Sequence, residues 1–232
     1  MKLYYLTLSF WLFISCVYGQ ETVVKSSQLD FVIKEKFHVL KSDKVIKHGE
    51  YLAKNNKTLI AQGNYDHGKR VGYWSFSNVT GKLIQSYNYN SNKLMYTDTS
   101  DSKDLKYSFE QLPKENDTIN YPVKIGGFHY GLAPLVNEQD KLIKKLFQEL
   151  LDGKTLEFLH IFSVDTGGKL FKHEVFITGN NINKSYILTD NNFDDEFKKF
   201  VPAKINHNPV ECKVYVRATV NMVTETATRA LN

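Results

Sequence analysis

The chain has 232 residues, enough for one or two domains. Its 30 Lys+Arg against 25 Asp+Glu make it mildly basic, but the cations are scattered among acids rather than gathered in a stripe, which argues against a nucleic-acid partner. Its two cysteines, Cys16 and Cys212, leave little scope for a disulfide framework, so the fold must be held by its core.

The chain opens MKLYYLTLSFWLFISCVYGQ: one early lysine, an apolar centre and a small-residue exit. The apolar part falls short of the ~20 residues a membrane span needs. It reads as a signal peptide over residues 1–19, with Val17 and Gly19 before the cut and Gln20 opening the mature chain. The expected location is therefore outside the cytoplasm, in the periplasm or cell envelope. A second reading is a lipobox ending at Cys16, which would tether the protein to a membrane.

From Phe31 to Thr97 the sequence repeats. With an offset of 24 residues, Leu59-Ile60 falls on Leu83-Ile84, Asn64-Tyr65 on Asn88-Tyr89 and Lys69 on Lys93. With an offset of 23, Asp43, Lys47, Gly49 and Tyr51 fall on Asp66, Arg70, Gly72 and Trp74. Such a period marks a repeat architecture, here strand, Gly or Asn turn, strand. His67-Gly68 and Thr80-Gly81 are the expected turns, and Trp74 and Phe76 share one side of the pleat. The stretch GNYDHGKRVGYWSFSNVTGKLIQSYNY resembles MORN-type repeats, a likeness covering Ile46 to Leu94. The resemblance implies an all-β, single-layer sheet of hairpins and a contact surface rather than chemistry.

Residues 98–118 are polar, charged and without sustained period, and read as a linker. A second domain is expected over 119–225. Leu132, Leu135, Val136, Leu142, Ile143, Leu146, Phe147 and Leu150 predict one apolar helix face. Two strand-like runs, LEFLHIFSV and KLFKHEVFIT, flank Asp165-Thr166-Gly167-Gly168 and predict a hairpin. Thr189 or Asp190 then caps a second expected helix, striped by Phe193, Phe197, Phe200 and Val201 and stopped by Pro202. Finally, residues from Val210 to Met222 alternate apolar and polar, the cleanest strand signal in the chain. Two helices over one face of an antiparallel sheet make this domain α+β, behind an all-β repeat sheet.

That order resembles the TonB C-terminal domain. Tyr121-Pro122-Val123-Lys124-Ile125-Gly126-Gly127 looks like its opening, Asp165 to Lys169 like its central turn, and Phe200-Val201-Pro202-Ala203 with Asn208-Pro209-Val210 like its last junction. An energy transducer needs a retained anchor and a Pro-rich spacer, whereas this chain has five prolines. What the resemblance implies is the fold and a binding mode in which a receptor peptide lies along the sheet edge, in outer-membrane receptor or transport systems. The last strand is the expected edge, and its backbone along Val214, Tyr215, Val216, Arg217, Ala218, Thr219 and Val220 is the expected partner-binding site.

Motifs for metalloprotease, phosphate-loop, dinucleotide or serine-hydrolase chemistry do not occur. Among His129, His160, His173 and His207, a turn on Thr166-Gly167 would place His160 opposite His173 as the start of a metal site; a turn on Gly167-Gly168, or a three-residue loop, breaks that pairing. No metal or cofactor is therefore expected. Asp194-Asp195-Glu196 suits a solvated first helical turn better than acid–base work. Cys212 lies on the dry side of the last strand. The expectation is a non-enzymatic, protein-binding envelope protein. The alternatives are a carbohydrate-binding or hydrolytic protein using Trp74 and Tyr73, and an antitoxin-like repeat protein.

Overall fold

The computed structural model describes residues 21–30, 32–98, 105–134, 155–179, 181–188, 195–221 and 228–231. The expected signal peptide and Cys16 lie outside them, as do the run from Leu135 to Leu150 and, from the second expected helix, Thr189, Asp190, Phe193 and Asp194. Among the described residues no helix is long and apolar enough to cross a membrane.

Seven strands run in chain order: β1 (Thr22–Gln28), β2 (Ile33–Leu40), β3 (Lys47–Asn55), β4 (Thr58–Asp66), β5 (Lys69–Ser77), β6 (Leu83–Asn88) and β7 (Lys93–Thr97). Each pairs antiparallel with the next, giving a seven-stranded meander. The β4–β5 turn is the two-residue His67-Gly68 loop, with φ of 44° and 82°. Positive φ at both positions is the turn whose twist matches paired strands. Asn78 closes the next turn, its Oδ1 accepting from the backbone N–H groups of Thr80 and Lys82.

Repeat-related residues occupy related core positions. Tyr51 and Trp74 are both fully buried, as are Ile60 and, nearly so, Ile84. Tyr65 and Tyr89 follow the same rule. Trp74 and Phe76 do share the inner face, while Tyr73 points to solvent. The same face carries Ile125, Tyr130 and Ala133 from later in the chain, so both halves contribute to one core.

The rest of the chain adds β8 (Lys106–Phe109), β9 (Ile119–Asn120), β10 (Val123–Lys124), a one-turn helix α1 (Gly127–Gly131), β11 (Thr155–Val164), β12 (Leu170–Gly179), β13 (Ile182–Leu188), β14 (Phe200–Val201), β15 (Ala203–Ile205), β16 (Asn208–Val210), β17 (Cys212–Asn221) and β18 (Thr228–Leu231). The second large sheet runs β13-β12-β11-β17-β18, with β8 also on β17. Strand β8 falls inside the stretch read as a linker and is part of this sheet.

The α+β expectation is corrected: the described residues are nearly all β. Of the second expected helix, Asp195–Lys198 forms a single 3₁₀ turn. Phe200 and Val201 instead pair with Lys124 and Val123 as a strand. The spacing of Phe197, Phe200 and Val201 is compatible with a helix face, but tertiary pairing overrides it. Asp195 and Glu196 form i,i+3 ion pairs with Lys198 and Lys199, at 3.4 and 2.8 Å.

The hairpin between β11 and β12 forms as expected, with its register set by a three-residue type of closure. His173 lies opposite Phe162, and a bulge brings Val164 opposite Leu170. Asp165 Oδ1 accepts from the N–H groups of Gly167 and Lys169, at 2.9 and 2.7 Å. Gly168, at φ 83°, holds the αL position. Its carbonyl accepts from Phe200 N–H at 2.7 Å, so the turn is fastened to the strand that precedes Pro202.

Candidate partner-binding face

The expected site residues divide by the pleat of β17. Val214, Val216, Ala218 and Val220 point inward and are buried, whereas Tyr215, Arg217 and Thr219 point outward. The backbone is not the open edge that the sequence suggested. One side of β17 pairs with β11 along its whole length. On the other side β8 covers Cys212 to Tyr215 and β18 covers Ala218 to Asn221, leaving only Val216 and Arg217 between them. Alternation reports which face is dry; it carries no information on how many neighbours a strand has.

Among the described residues the sheet ends at β13 on one side and at β18 and β8 on the other. The outer face that reaches the β13 edge carries several apolar side chains among polar ones. One row across it is Ser185, Phe176, Leu159 and Arg217; the next is Ile187, Glu174, Ile161, Tyr215 and Lys106. Phe176 is 36% and Ile187 64% exposed, and Leu159, Ile161 and Tyr215 are half-buried. The next row leads into an open groove lined by Ser108, Ser163, Phe171 and Lys213. Charge is uneven across the face. Glu174 is paired with Lys172 at 2.9 Å; Lys106, Lys213 and Arg217 lie on the β17–β8 side, where Glu157 shares the face and Glu110 and Glu211 also line the groove.

Beneath the sheets lies a second feature that sequence reasoning missed. Arg70 is buried and donates to three tyrosine hydroxyls: Tyr65 at 3.2 Å, Tyr89 at 2.9 Å and Tyr130 at 2.9 Å. Its guanidinium lies 4.4 Å from the Trp74 ring centre. Tyr130 donates to Tyr51 at 2.9 Å, and Tyr51 donates to the buried Glu35, which also accepts from Ser27 at 2.7 Å. A cation and a carboxylate are thus joined through tyrosines across the shared core. Burial, foremost, holds the Tyr51 and Tyr130 hydroxyls well above the usual tyrosine range. These side chains act as fixed neutral donors.

His160 and His173 do meet, though diagonally rather than in register: His160 Nδ1 lies 2.9 Å from His173 Nε2. Both are buried and stack on Phe162, and no third metal ligand joins them among the described residues. Burial lowers their pKa values to about 4 and about 3. The unfolded chain takes up protons near pH 6.5 that the folded chain excludes. Stability is therefore full above that pH and falls as pH drops toward the folded values. Each histidine should cost on the order of 2 kcal/mol by pH 5. Urea unfolding at pH 7.5 and 5 checks this: a His160→Phe/His173→Phe variant should show a much smaller difference between the two pH values.

Burial bears on two more side chains. Cys212 is buried and its thiol is pushed up to about 11, unsuited to nucleophilic use. Trp74 is fully enclosed in the core, so it offers no surface to a glycan. Comparison of the chain with protein-family models, with curated proteins and with solved structures gave no match.

Proposed function

We propose that this chain is an exported, non-catalytic interaction module of the cell envelope, which holds a protein partner on the outer face of its second sheet. The observation carrying this reading is the pair Phe176 and Leu159 in one outward-facing row, with Ile161 and Ile187 in the next, beside the β13 edge. A solvated sheet face normally alternates to polar side chains. A contiguous apolar patch on a folded surface marks a contact site. The occupant that fits is an extended protein segment with apolar side chains and acidic residues. Its backbone can pair along β13, its apolar side chains can lie on the rows, and its acids can meet Lys106, Lys213 and Arg217. Tyr215 and Arg217 keep a role as side chains on the face, while strand addition moves from β17 to β13.

The test is a Phe176→Lys/Ile187→Lys double variant of the full chain. Both positions are exposed, so its melting temperature should stay within a few degrees of the parent. Losing an apolar anchor pair should weaken partner binding by about tenfold or more. Undiminished binding of the cognate partner would refute the assignment.

A further inference from the structure

The geometry points to a divalent transition-metal site at the β4–β5 turn, formed by His48, Asp66 and His67. His48 sits near the start of β3, and Asp66 and His67 lie at the end of β4 and the first position of the turn. The Asp66 carboxylate is 3.2 Å from His48 Nδ1 and 2.6 Å from His67 Nδ1. One ligand atom from each residue lies within 4.8 Å of the others. Atoms sharing one zinc ion at ~2.0–2.2 Å lie at most ~4.4 Å apart, so small side-chain rotations close the set.

The backbone holds the three together. Gly68 N–H donates to Lys47 O at 2.8 Å, fastening the turn to β3 beside His48. The turn also keeps His67 at φ 44°, a conformation uncommon for a residue with a Cβ, and so aims its ring at its neighbours. The two imidazole rings meet edge to face with centres 5.0 Å apart. Two imidazoles with one carboxylate suit zinc, nickel or copper, and not the oxygen-rich preference of calcium or magnesium. The ligands are accessible: Asp66 and His67 side chains are 57% and 54% exposed, and His67 also lines an open cleft with Glu21, Leu40, Lys41 and Ser42. Three protein ligands leave a coordination position for water or a small ligand. The ion would tie β3 to the β4–β5 turn, on a sheet distinct from the partner-binding face.

Calorimetric titration of the metal-stripped full chain with zinc chloride tests this. The expected result is one ion bound per chain, with no response to magnesium chloride. Losing only a group that orients a metal's ligands commonly costs 10–100-fold in affinity, so His67→Ala and Asp66→Asn should each weaken zinc by at least about tenfold. A His207→Gln control, in the exposed β15–β16 turn, should bind as the parent does. If His48→Ala disturbs β3, the two turn variants still decide, because their side chains are exposed. No saturable zinc uptake, or uptake unchanged in both turn variants, would show that the three residues form a hydrogen-bonded triad only and would overturn the proposal.

Discussion

Replacing Arg70 by methionine should lower the free energy of unfolding by about 2–4 kcal/mol, since each buried hydroxyl left without its partner costs on the order of 1–3 kcal/mol. Methionine fills much of the volume but provides no donor. The hydroxyls of Tyr65, Tyr89 and Tyr130 would lose their shared partner inside a core where water does not compensate. Glu35 keeps its direct cation partner, Lys47 at 3.6 Å, so the loss falls on the tyrosine hydroxyls. Arg70→Lys should recover only part of the loss, because one ammonium cannot reproduce three donors fixed in a plane. Urea unfolding at neutral pH measures it. A loss under about 1 kcal/mol would mean that the network contributes little beyond packing.

Gly168→Ala should cost about 2–4 kcal/mol, combining left-handed strain with overpacking. An added Cβ would lie 2.2 Å from the Phe200 carbonyl oxygen and 3.1 Å from Pro202 Cδ. The nearest obstacle is backbone, which has no rotamer to escape into. Relief requires the β11–β12 turn to leave β14, breaking the 2.7 Å bond from Phe200 N–H to Gly168 O. Thermal denaturation checks it, with Gly167→Ala as the comparison: there the nearest atom is the Asp165 carboxylate oxygen at 3.3 Å. The Gly168 variant should melt well below the Gly167 one. Equal melting would contradict the close packing of the turn on β14.

The first sheet was legible because its repeat fixes both turn and face. Tyr51 and Trp74 align in sequence and are equally buried in the core. The same alignment held an unused signal for Arg70. It falls on Lys47, and each cation precedes a core aromatic by four residues. Lys47 lies 5.1 Å from the Tyr51 ring centre, and Arg70 lies 4.4 Å from that of Trp74. A cation recurring at one repeat position beside a core aromatic points to a buried cation–π contact rather than a solvated charge. The second sheet was less legible. Local period identified the β11–β12 hairpin and the dry face of β17, but Phe200 and Val201 read as a helix until their long-range partners Lys124 and Val123 were known. The covering of β17 by β8 and β18 depends on strand order, which no local pattern encodes.

The central claim is that the outer face of the second sheet holds a protein segment. The most direct measurement places a photo-crosslinking amino acid at Phe176 in the full chain, in its own cells, with Val45 as the control. Val45 is 86% exposed and precedes the first-sheet strand β3. The account predicts a discrete adduct from position 176, mapped by mass spectrometry to an acidic, apolar segment of one envelope protein, and none from position 45. Adducts of equal yield at both positions, or none at 176, would contradict it.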